Sequence, residues 1–362
     1  MFISFKLNRL AAVLSLIILI ISSFTMTFLY ATSQKSKNIT EQAKPVLSES
    51  AQTAKKDFIK WVDFKITSTA MQKAMKLDIE SQNTETKLDW IELLAILGSR
   101  YGGDFSKFKE SDLTTLTNRL KNGETVADIT KDMKYYPYYH QAYTAVLDEF
   151  VGEYEIQTEK ENNEIIYEKK YGFKAFSPIA KGYGYSHYDD FGSSRSYGYK
   201  RKHLGHDMMG SVGTPIIAIE SGTVEALGWN QYGGWRIGIR SFDKKRYYYY
   251  AHLRKNHPYP KDLSVGHTVK AGDVIGYLGM TGYSSKENVN NIDTPHLHMG
   301  IQLIFDESQK DGNGEIWIDC YEIAKLLSKN TCAVVRDELT GEYRRKFDFF
   351  EKSVENMEQR KD

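Results

Sequence analysis

From Tyr171 onward the chain consists of short runs of β-forming residues separated by glycine turns. The turn pairs Ser221-Gly222, Gly233-Gly234 and Ala271-Gly272 stand between these runs. Short runs of this kind, closely spaced and without helical periodicity, predict antiparallel strands. The predicted strands cover residues 214–219, 223–229, 236–240, 246–252, 274–278 and 296–305. We therefore predict a mainly β domain with an antiparallel sheet at residues 175–327.

The part of the chain before this domain has the sequence pattern of helices rather than strands. Apolar residues at helical spacing predict helices within 55–82, 90–99, 111–120, 125–133 and 141–154, which together form a small α-helical domain at 55–155. No catalytic motif occurs there. The aromatic run at 135–140 fits either aromatic packing around a turn or a glycan-contacting surface. Polar or charged composition predicts a stalk at 34–54, a connector at 156–174 and a tail at 328–362.

Residues 10–31 carry no charge and are rich in Leu, Ile and Phe. As a helix this run spans about 30 Å, the thickness of a bilayer core. Lys6 and Arg9 precede it, as is typical of a cytoplasmic N-terminus. We predict a transmembrane anchor at 1–33 with the rest of the chain outside the cytoplasm. The alternatives are a cleaved signal peptide, for which Leu29-Tyr30-Ala31 is a poor cleavage site, and a buried soluble helix.

Charge and cysteine content exclude several classes of protein. Lys and Arg total 48 against 47 acidic residues, so the net charge of +1 gives no electrostatic case for nucleic-acid binding. An apolar fraction of 41% excludes a wholly disordered chain and a polytopic membrane protein. Two cysteines cannot form a disulfide framework. Cys320 and Cys332 follow the last predicted strand, which favours packing or a local disulfide over metal binding.

Seven of the nine histidines lie between positions 203 and 298. In an extended chain His203 and Asp207 point the same way, and Gly205 between them leaves space for an ion. His296 and His298 share one face of the last predicted strand. The opposite face is apolar and is predicted to enter the core, with Leu297, Met299, Ile301, Leu303 and Phe305. Both imidazoles of this strand are therefore predicted to face a cleft.

A catalytic zinc site uses three protein ligands and keeps a further position open. His203, Asp207 and one of His296 or His298 fit that pattern. His252 ends the run 246–252, in which Tyr248 and Tyr250 are predicted to share its face. The helix-borne H-E-x-x-H motif does not occur.

Six motifs in this order resemble the lysostaphin-like, LytM-type zinc endopeptidases of peptidase family M23. They are His203-x-Gly205-x-Asp207, Gly213-Thr214-Pro215-Ile216, Tyr232-Gly233-Gly234, Tyr250-Ala251-His252-Leu253, Thr281-Gly282-Tyr283-Ser284 and His296-Leu297-His298. The resemblance covers about residues 175–305 and implies a β-rich fold with a narrow groove. It also implies one Zn²⁺ per chain and peptidoglycan peptides as the substrate. The activity that follows is hydrolysis of stem peptides or cross-bridges at the cell surface.

The resemblance also implies a role for each histidine. It gives the zinc ligands as His203, Asp207 and His298, and the catalytic residues as His252 and His296. No acidic residue stands at a general-base position in the motifs, so a neutral imidazole is expected to accept the proton of water or to stabilise the oxyanion. The family often uses a tyrosine to steady the reacting carbonyl. Tyr197 and Tyr199 lie close before His203, and the spacing does not fix which of them, if either, has this role. Substrate contact is predicted for Tyr197, Tyr199 and Tyr232.

Two departures from the family pattern are present. Residues 285–294 lengthen a spacing that is short in the family, which predicts a longer groove wall and an altered specificity. Met299 stands where Phe is common. Some relatives have lost a ligand and act as scaffolds, so a membrane-anchored, non-catalytic binding protein is the alternative, although all five polar positions are intact here. A third possibility is an enzyme that acts on a protein partner rather than on the wall.

Overall fold

The computed structural model describes residues 58–160, 162–198 and 200–358. The predicted anchor, the predicted stalk and Tyr199 lie outside these residues. Within them, no helix is long and apolar enough to cross a membrane.

The first part of the described chain is helical, as predicted. Its helices are α1 (Ser68–Ser81), α2 (Trp90–Tyr101), α3 (Glu110–Lys121), α4 (Val126–Thr130) and α5 (Tyr136–Leu147), with 3₁₀ turns at Phe105–Lys107 and Asp148–Phe150. Helix α1 begins later than predicted because the Thr67 side chain accepts a hydrogen bond from the Ala70 amide and fixes the first turn there. Helix α2 begins at the cap Asp89 and ends at Gly102, whose φ is 65°.

Most of the region predicted as a charged connector at 156–174 belongs to a β-hairpin. Strands β1 (Val151–Glu159) and β2 (Ile165–Phe173) pair along their whole length. Opposite charges face each other across the pair, as in Glu155 and Lys169. Tyr154 and Ile156 alternate with the charged residues and pack on a small apolar core that includes Phe349.

The C-terminal region is folded onto this hairpin and onto the β domain. Its elements are β15 (Val334–Arg336), β16 (Tyr343–Arg345), β17 (Phe349–Phe350) and α7 (Lys352–Glu358). Strand β17 pairs with β1 and completes a three-stranded sheet. Next to it, the buried Glu351 lies 2.8 Å from the ammonium of Lys174. The charged tail predicted at 328–362 thus contributes strands and a buried ion pair.

The predicted antiparallel β domain is confirmed. Its main sheet has eight strands, seven of them in the order β11-β8-β9-β10-β13-β6-β3, and β14 pairs with β13. These strands are β3 (Ser186–Tyr188), β6 (His206–Met209), β8 (Gly222–Asn230), β9 (Gly234–Ser241), β10 (Arg246–Ala251), β11 (Thr268–Val269), β13 (His296–Leu303) and β14 (Ile316–Ile318). Two short pairs flank the sheet, β4 (Ser194–Arg195) with β5 (Arg201–Lys202) and β7 (Pro215–Ile217) with β12 (Val274–Tyr277). A 3₁₀ turn at Glu307–Gln309 and helix α6 (Tyr321–Leu327) complete the domain.

One face of the main sheet packs against the same core as the helices. The guanidinium of Arg246 in β10 is buried at this junction and donates to the carbonyl of Ala145 in α5 at 2.9 Å. It also pairs with the carboxylate of Glu220, which accepts a further hydrogen bond from the Tyr248 hydroxyl. The described helical and β parts therefore share one interior rather than forming two separate domains.

Candidate metal centre and groove

The pairing of β6 with β13 brings three of the predicted residues together. Asp207 stands opposite His298 in the register of this pair, and His203 lies in the turn that leads into β6. The Nε2 atom of His203 lies 2.8 Å from Nδ1 of His298 and 3.1 Å from Oδ1 of Asp207. The distance from His298 Nδ1 to the same carboxylate oxygen is 2.9 Å. Three metal-binding atoms thus converge on one point.

Burial and hydrogen bonds together set the protonation of this group. Burial by itself raises the pKa of Asp207, but hydrogen bonds with His203 and His298 outweigh it and hold that pKa far below its usual value. Burial lowers the pKa of His298, and the neighbouring Asp207 only partly opposes this. An ionised carboxylate and a neutral imidazole are the forms in which these side chains bind a metal. Two imidazoles and one carboxylate at the edge of a groove fit a three-ligand zinc site.

A second layer of side chains supports this group, and the sequence analysis did not identify it. Nδ1 of His203 lies 2.7 Å from Oδ1 of Asp190, whose other oxygen lies 2.6 Å from Nη2 of Arg195. The same Arg195 nitrogen lies 3.4 Å from Oδ2 of Asp207. A carboxylate behind a metal-binding imidazole fixes the orientation of the ring and raises its basicity. Neither residue belongs to a motif, so the sequence offered no signal beyond their closeness to His203.

His252 and His296 lie beside this group, with ring centroids 4.7 Å apart. Nδ1 of His252 is 2.9 Å from the carbonyl of Thr281, and Nδ1 of His296 is 2.8 Å from the carbonyl of Thr294. A carbonyl can only accept a hydrogen bond, so each Nδ1 carries the proton. A ring of this tautomer has Nε2 as its acceptor, and in His296 this atom lies 3.8 Å from Oδ1 of Asp207.

The predicted face shared by Tyr248, Tyr250 and His252 is wrong. Both tyrosines are buried in the core, whereas His252 lines the groove. The alternation breaks at His252, which follows the end of β10 and has a φ of 61°. Burial, together with the neighbouring His296 and His298, holds the pKa of His252 well below its usual value, so this ring is neutral.

An open groove of about 1000 Å³ crosses the exposed face of the main sheet above these residues. Tyr232 and Tyr283 line it, and Tyr197 stacks on Tyr283 with ring centroids 4.9 Å apart. The Arg201 guanidinium lies over the rings of both Tyr232 and Tyr283. Two of the three predicted substrate tyrosines thus lie at one end of the groove, and the sequence analysis missed Tyr283 as their partner.

The long insertion at 285–294 forms part of the groove wall, as its length predicted. Residues 291–294 line the groove. Asn288 fixes the insertion to the domain, since its side-chain oxygen accepts hydrogen bonds from the Trp235 indole and from the Asn256 amide.

His206 and the two cysteines lie away from the site. His206 points to the opposite side of β6, where its Nε2 lies 2.8 Å from Nδ1 of His187. Burial lowers the pKa of His206 to about 4. Cys320 and Cys332 are buried as free thiols.

Residues 201–311 match the model of peptidase family M23, and this part of the chain belongs to that family. The L-Ala–D-Glu endopeptidase of Bacillus subtilis (strain 168) is 38% identical over 117 residues, which are 32% of this chain and 34% of the relative. Lysostaphin of Staphylococcus simulans is 39% identical over 119 residues, 33% of this chain and 20% of the relative. The solved structure of the lysostaphin catalytic domain from that organism has 31% identity and a TM-score of 0.29, and the match covers 39% of this chain and 92% of that domain. The chain thus spans only about a third or less of the length of these two curated relatives.

Proposed function

We propose that this protein is a zinc-dependent endopeptidase that hydrolyses peptide bonds in peptidoglycan. The observation that carries the proposal is the convergence of His203, Asp207 and His298 on one point, with His252 and His296 beside them at the groove. The names of the relatives support the substrate class, since they include a Vibrio cholerae peptidoglycan DD-endopeptidase, which is 29% identical over 162 residues.

His203, Asp207 and His298 would hold the zinc ion, with Asp190 orienting His203 from behind. When bound, Zn²⁺ supplies a Lewis acid that polarises a carbonyl and lowers the pKa of water. The groove would hold the peptide against these residues. Tyr197 and Tyr232 would contact the substrate at one end of the groove, and Tyr199 is proposed for the same role.

His252 and His296 would handle the proton. Both rings carry their hydrogen on Nδ1, which leaves Nε2 to accept a proton from the attacking water and to return it to the leaving amine. Burial keeps His252 neutral and so ready to act as a base. The backbone carbonyls of Thr281 and Thr294 hold both rings in this tautomer before substrate arrives.

Three alanine variants of the full chain test these roles side by side. His298→Ala should lose zinc, and with it activity and thermal stability, because bound metal stabilises the folded state. His296→Ala and His252→Ala should keep zinc while the turnover rate falls at least ~10²-fold, the scale of one acid–base group. Zinc content and turnover are measured on each variant. Metal loss in His296→Ala with retention in His298→Ala would exchange the two roles.

We also propose that residues 1–33 anchor the chain in the membrane with the peptidase domain outside the cytoplasm. The proposal rests on the uncharged run at 10–31 and the cations before it. Protease added to intact cells should then digest the β domain while a cytoplasmic marker survives. Protection of the β domain until the cells are lysed would contradict this orientation.

A further inference from the structure

Arg236 is a cation on the floor of the groove. It lines the groove from strand β9, and among the described residues its side chain makes no hydrogen bond or ion pair. Its Nε atom is buried and unsatisfied. Leaving a buried donor of a charged group unpaired costs free energy, so such a group is expected to gain a partner when a ligand binds.

Two other cations that line the groove have acidic partners. Arg195 contacts Asp190, and Lys310 contacts Glu225. Arg236 is instead flanked by aromatic rings. Burial raises the pKa of Tyr247 to about 12, and the positive charge of Arg236 acts against that rise. Burial also raises the pKa of Tyr249, and the positive charge of Arg236 again opposes that rise. Glu225 and Asp311 also act on Tyr247 and line the groove, but within the described part of the chain neither forms an ion pair with Arg236.

The strand register places Arg236 in line with the metal-binding group. Asp207 pairs with His298, and His298 pairs with Ala251. The pairing of β9 with β10, extended one residue beyond Tyr250 and Ile237, sets Arg236 opposite Ala251. Residues that stand opposite one another in antiparallel strands share a face of the sheet. Asp207, His298, Ala251 and Arg236 therefore form one row across the groove floor.

The spacing of this row gives the distance that a bound peptide must span between the metal-binding group and Arg236. Two strand spacings separate Arg236 from His298, which is about 10 Å between their backbones. Only the methyl group of Ala251 stands between them, and Gly228 follows Arg236 in the row. An extended peptide advances about 3.4 Å per residue. A residue within about three positions of the reacting bond can thus place its side chain at Arg236.

We propose that Arg236 binds a carboxylate of the substrate close to the cleaved bond, so that the enzyme prefers a peptide with an acidic residue there. A guanidinium binds a carboxylate through two parallel hydrogen bonds and discriminates against a neutral amide of the same shape. This inference rests on the proposed endopeptidase function and names the substrate feature that the groove selects.

A pair of matched peptides tests the preference. One is a peptidoglycan stem peptide with D-Glu after L-Ala, the two residues in the name of the Bacillus subtilis relative. The other carries D-isoglutamine, in which the free carboxylate of that residue is an amide, and is otherwise identical. The full-length, zinc-loaded wild-type protein should cleave the acidic peptide with a kcat/KM about tenfold to a hundredfold higher, the scale of a hydrogen bond to a charged group.

Variants of Arg236 assign the preference to this residue. Arg236→Gln should cleave both peptides with a similar kcat/KM, because the substitution lowers kcat/KM for the acidic peptide alone. Arg236→Lys keeps the charge without the paired geometry and should retain part of the preference. Arg344→Gln makes the same change at an exposed position of β16 and should leave the preference intact. Zinc content and melting temperature are measured on every variant to confirm that each is folded and loaded.

Two kinds of result would overturn the inference, and only the second would also overturn the proposed endopeptidase function. If wild type prefers the acidic peptide and Arg236→Gln keeps that preference, or if wild type has no preference, Arg236 does not select a carboxylate, while the endopeptidase function stands. If folded, zinc-loaded wild type cleaves neither these peptides nor peptidoglycan, the proposed function fails and the inference fails with it.

Discussion

Position 205 has no side chain, and this leaves room for the imidazole of His298. A Cβ atom built at Gly205 would lie 2.5 Å from Cε1 and 2.6 Å from Nε2 of that ring. The carbonyl of Met299 lies 2.8 Å away on another side, so the ring and the strand would both have to move. Position 205, between His203 and Asp207, thus requires glycine because any side chain there would collide with the ring of His298.

We therefore predict that Gly205→Ala displaces His298 and weakens zinc binding about tenfold to a hundredfold, the effect typical of disturbing a metal site from its surroundings. Gly184→Ala is the matched control, because no atom lies within 4 Å of a Cβ built there. Competition with a chelator measures zinc affinity for both variants. Unchanged affinity in a folded Gly205→Ala protein would contradict the crowding argument.

Some site residues could be predicted from the sequence, and others could not. The faces of β13 follow from simple alternation, so the inward-pointing Leu297 and the groove-facing His298 were both placed correctly. His252 was assigned the wrong neighbours because a non-glycine residue with positive φ breaks the alternation, and local sequence does not reveal this. Asp190 is brought to His203 only by the tertiary fold. The position of Arg236 relative to His298 likewise follows only from the register of four strands.

At the level of elements, amino-acid composition did not reveal the strands of the hairpin β1–β2 or the strand β17. Their charged residues predicted a solvated connector and tail. In the structure Glu155 and Lys169 stand opposite each other across the hairpin, while Tyr154 and Ile156 pack with Phe349 in a small apolar core. A short strand that pairs with a segment almost two hundred residues away leaves little local signal. The helices and central strands were predicted because their periodicity is local.

Glu351 fastens the C-terminal region to this hairpin. It is 5% exposed, accepts a hydrogen bond from Ser221 and pairs with Lys174. Burial alone would lower the pKa of Lys174, but Glu351 and Glu149 outweigh it and keep the ammonium charged. Removing Glu351 leaves a buried charge with one carboxylate instead of two.

We predict that Glu351→Ala lowers the free energy of unfolding by about 3 kcal/mol, as expected when one partner of a buried ion pair is lost. Glu80→Ala is the matched control, since Glu80 forms an exposed pair with Lys76 on helix α1. Such a pair contributes under about 1 kcal/mol. Urea unfolding of both variants gives the comparison. Equal losses would mean that Glu351 does not hold the C-terminal region in place.

At the scale of the whole molecule, the described helices and the sheet share one interior. Arg246 joins them through the carbonyl of Ala145 and the carboxylate of Glu220, all within the shared interior. The hairpin begins where the helical part ends, and its third strand comes from the C-terminal region. A fragment starting near residue 160 would lose β1 and these contacts. Activity is therefore best measured on the full chain.

Digestion of purified peptidoglycan by the full-length, zinc-loaded protein tests the central claim most directly. Mass analysis of the soluble products should show cleaved stem peptides or cross-bridges with new amino groups and no new reducing sugar ends. His298→Ala, which lacks a proposed zinc ligand, should release none of these products. If the folded, zinc-loaded wild type releases no peptide, or if His298→Ala releases the same products at the same rate, the protein is not the zinc endopeptidase proposed here.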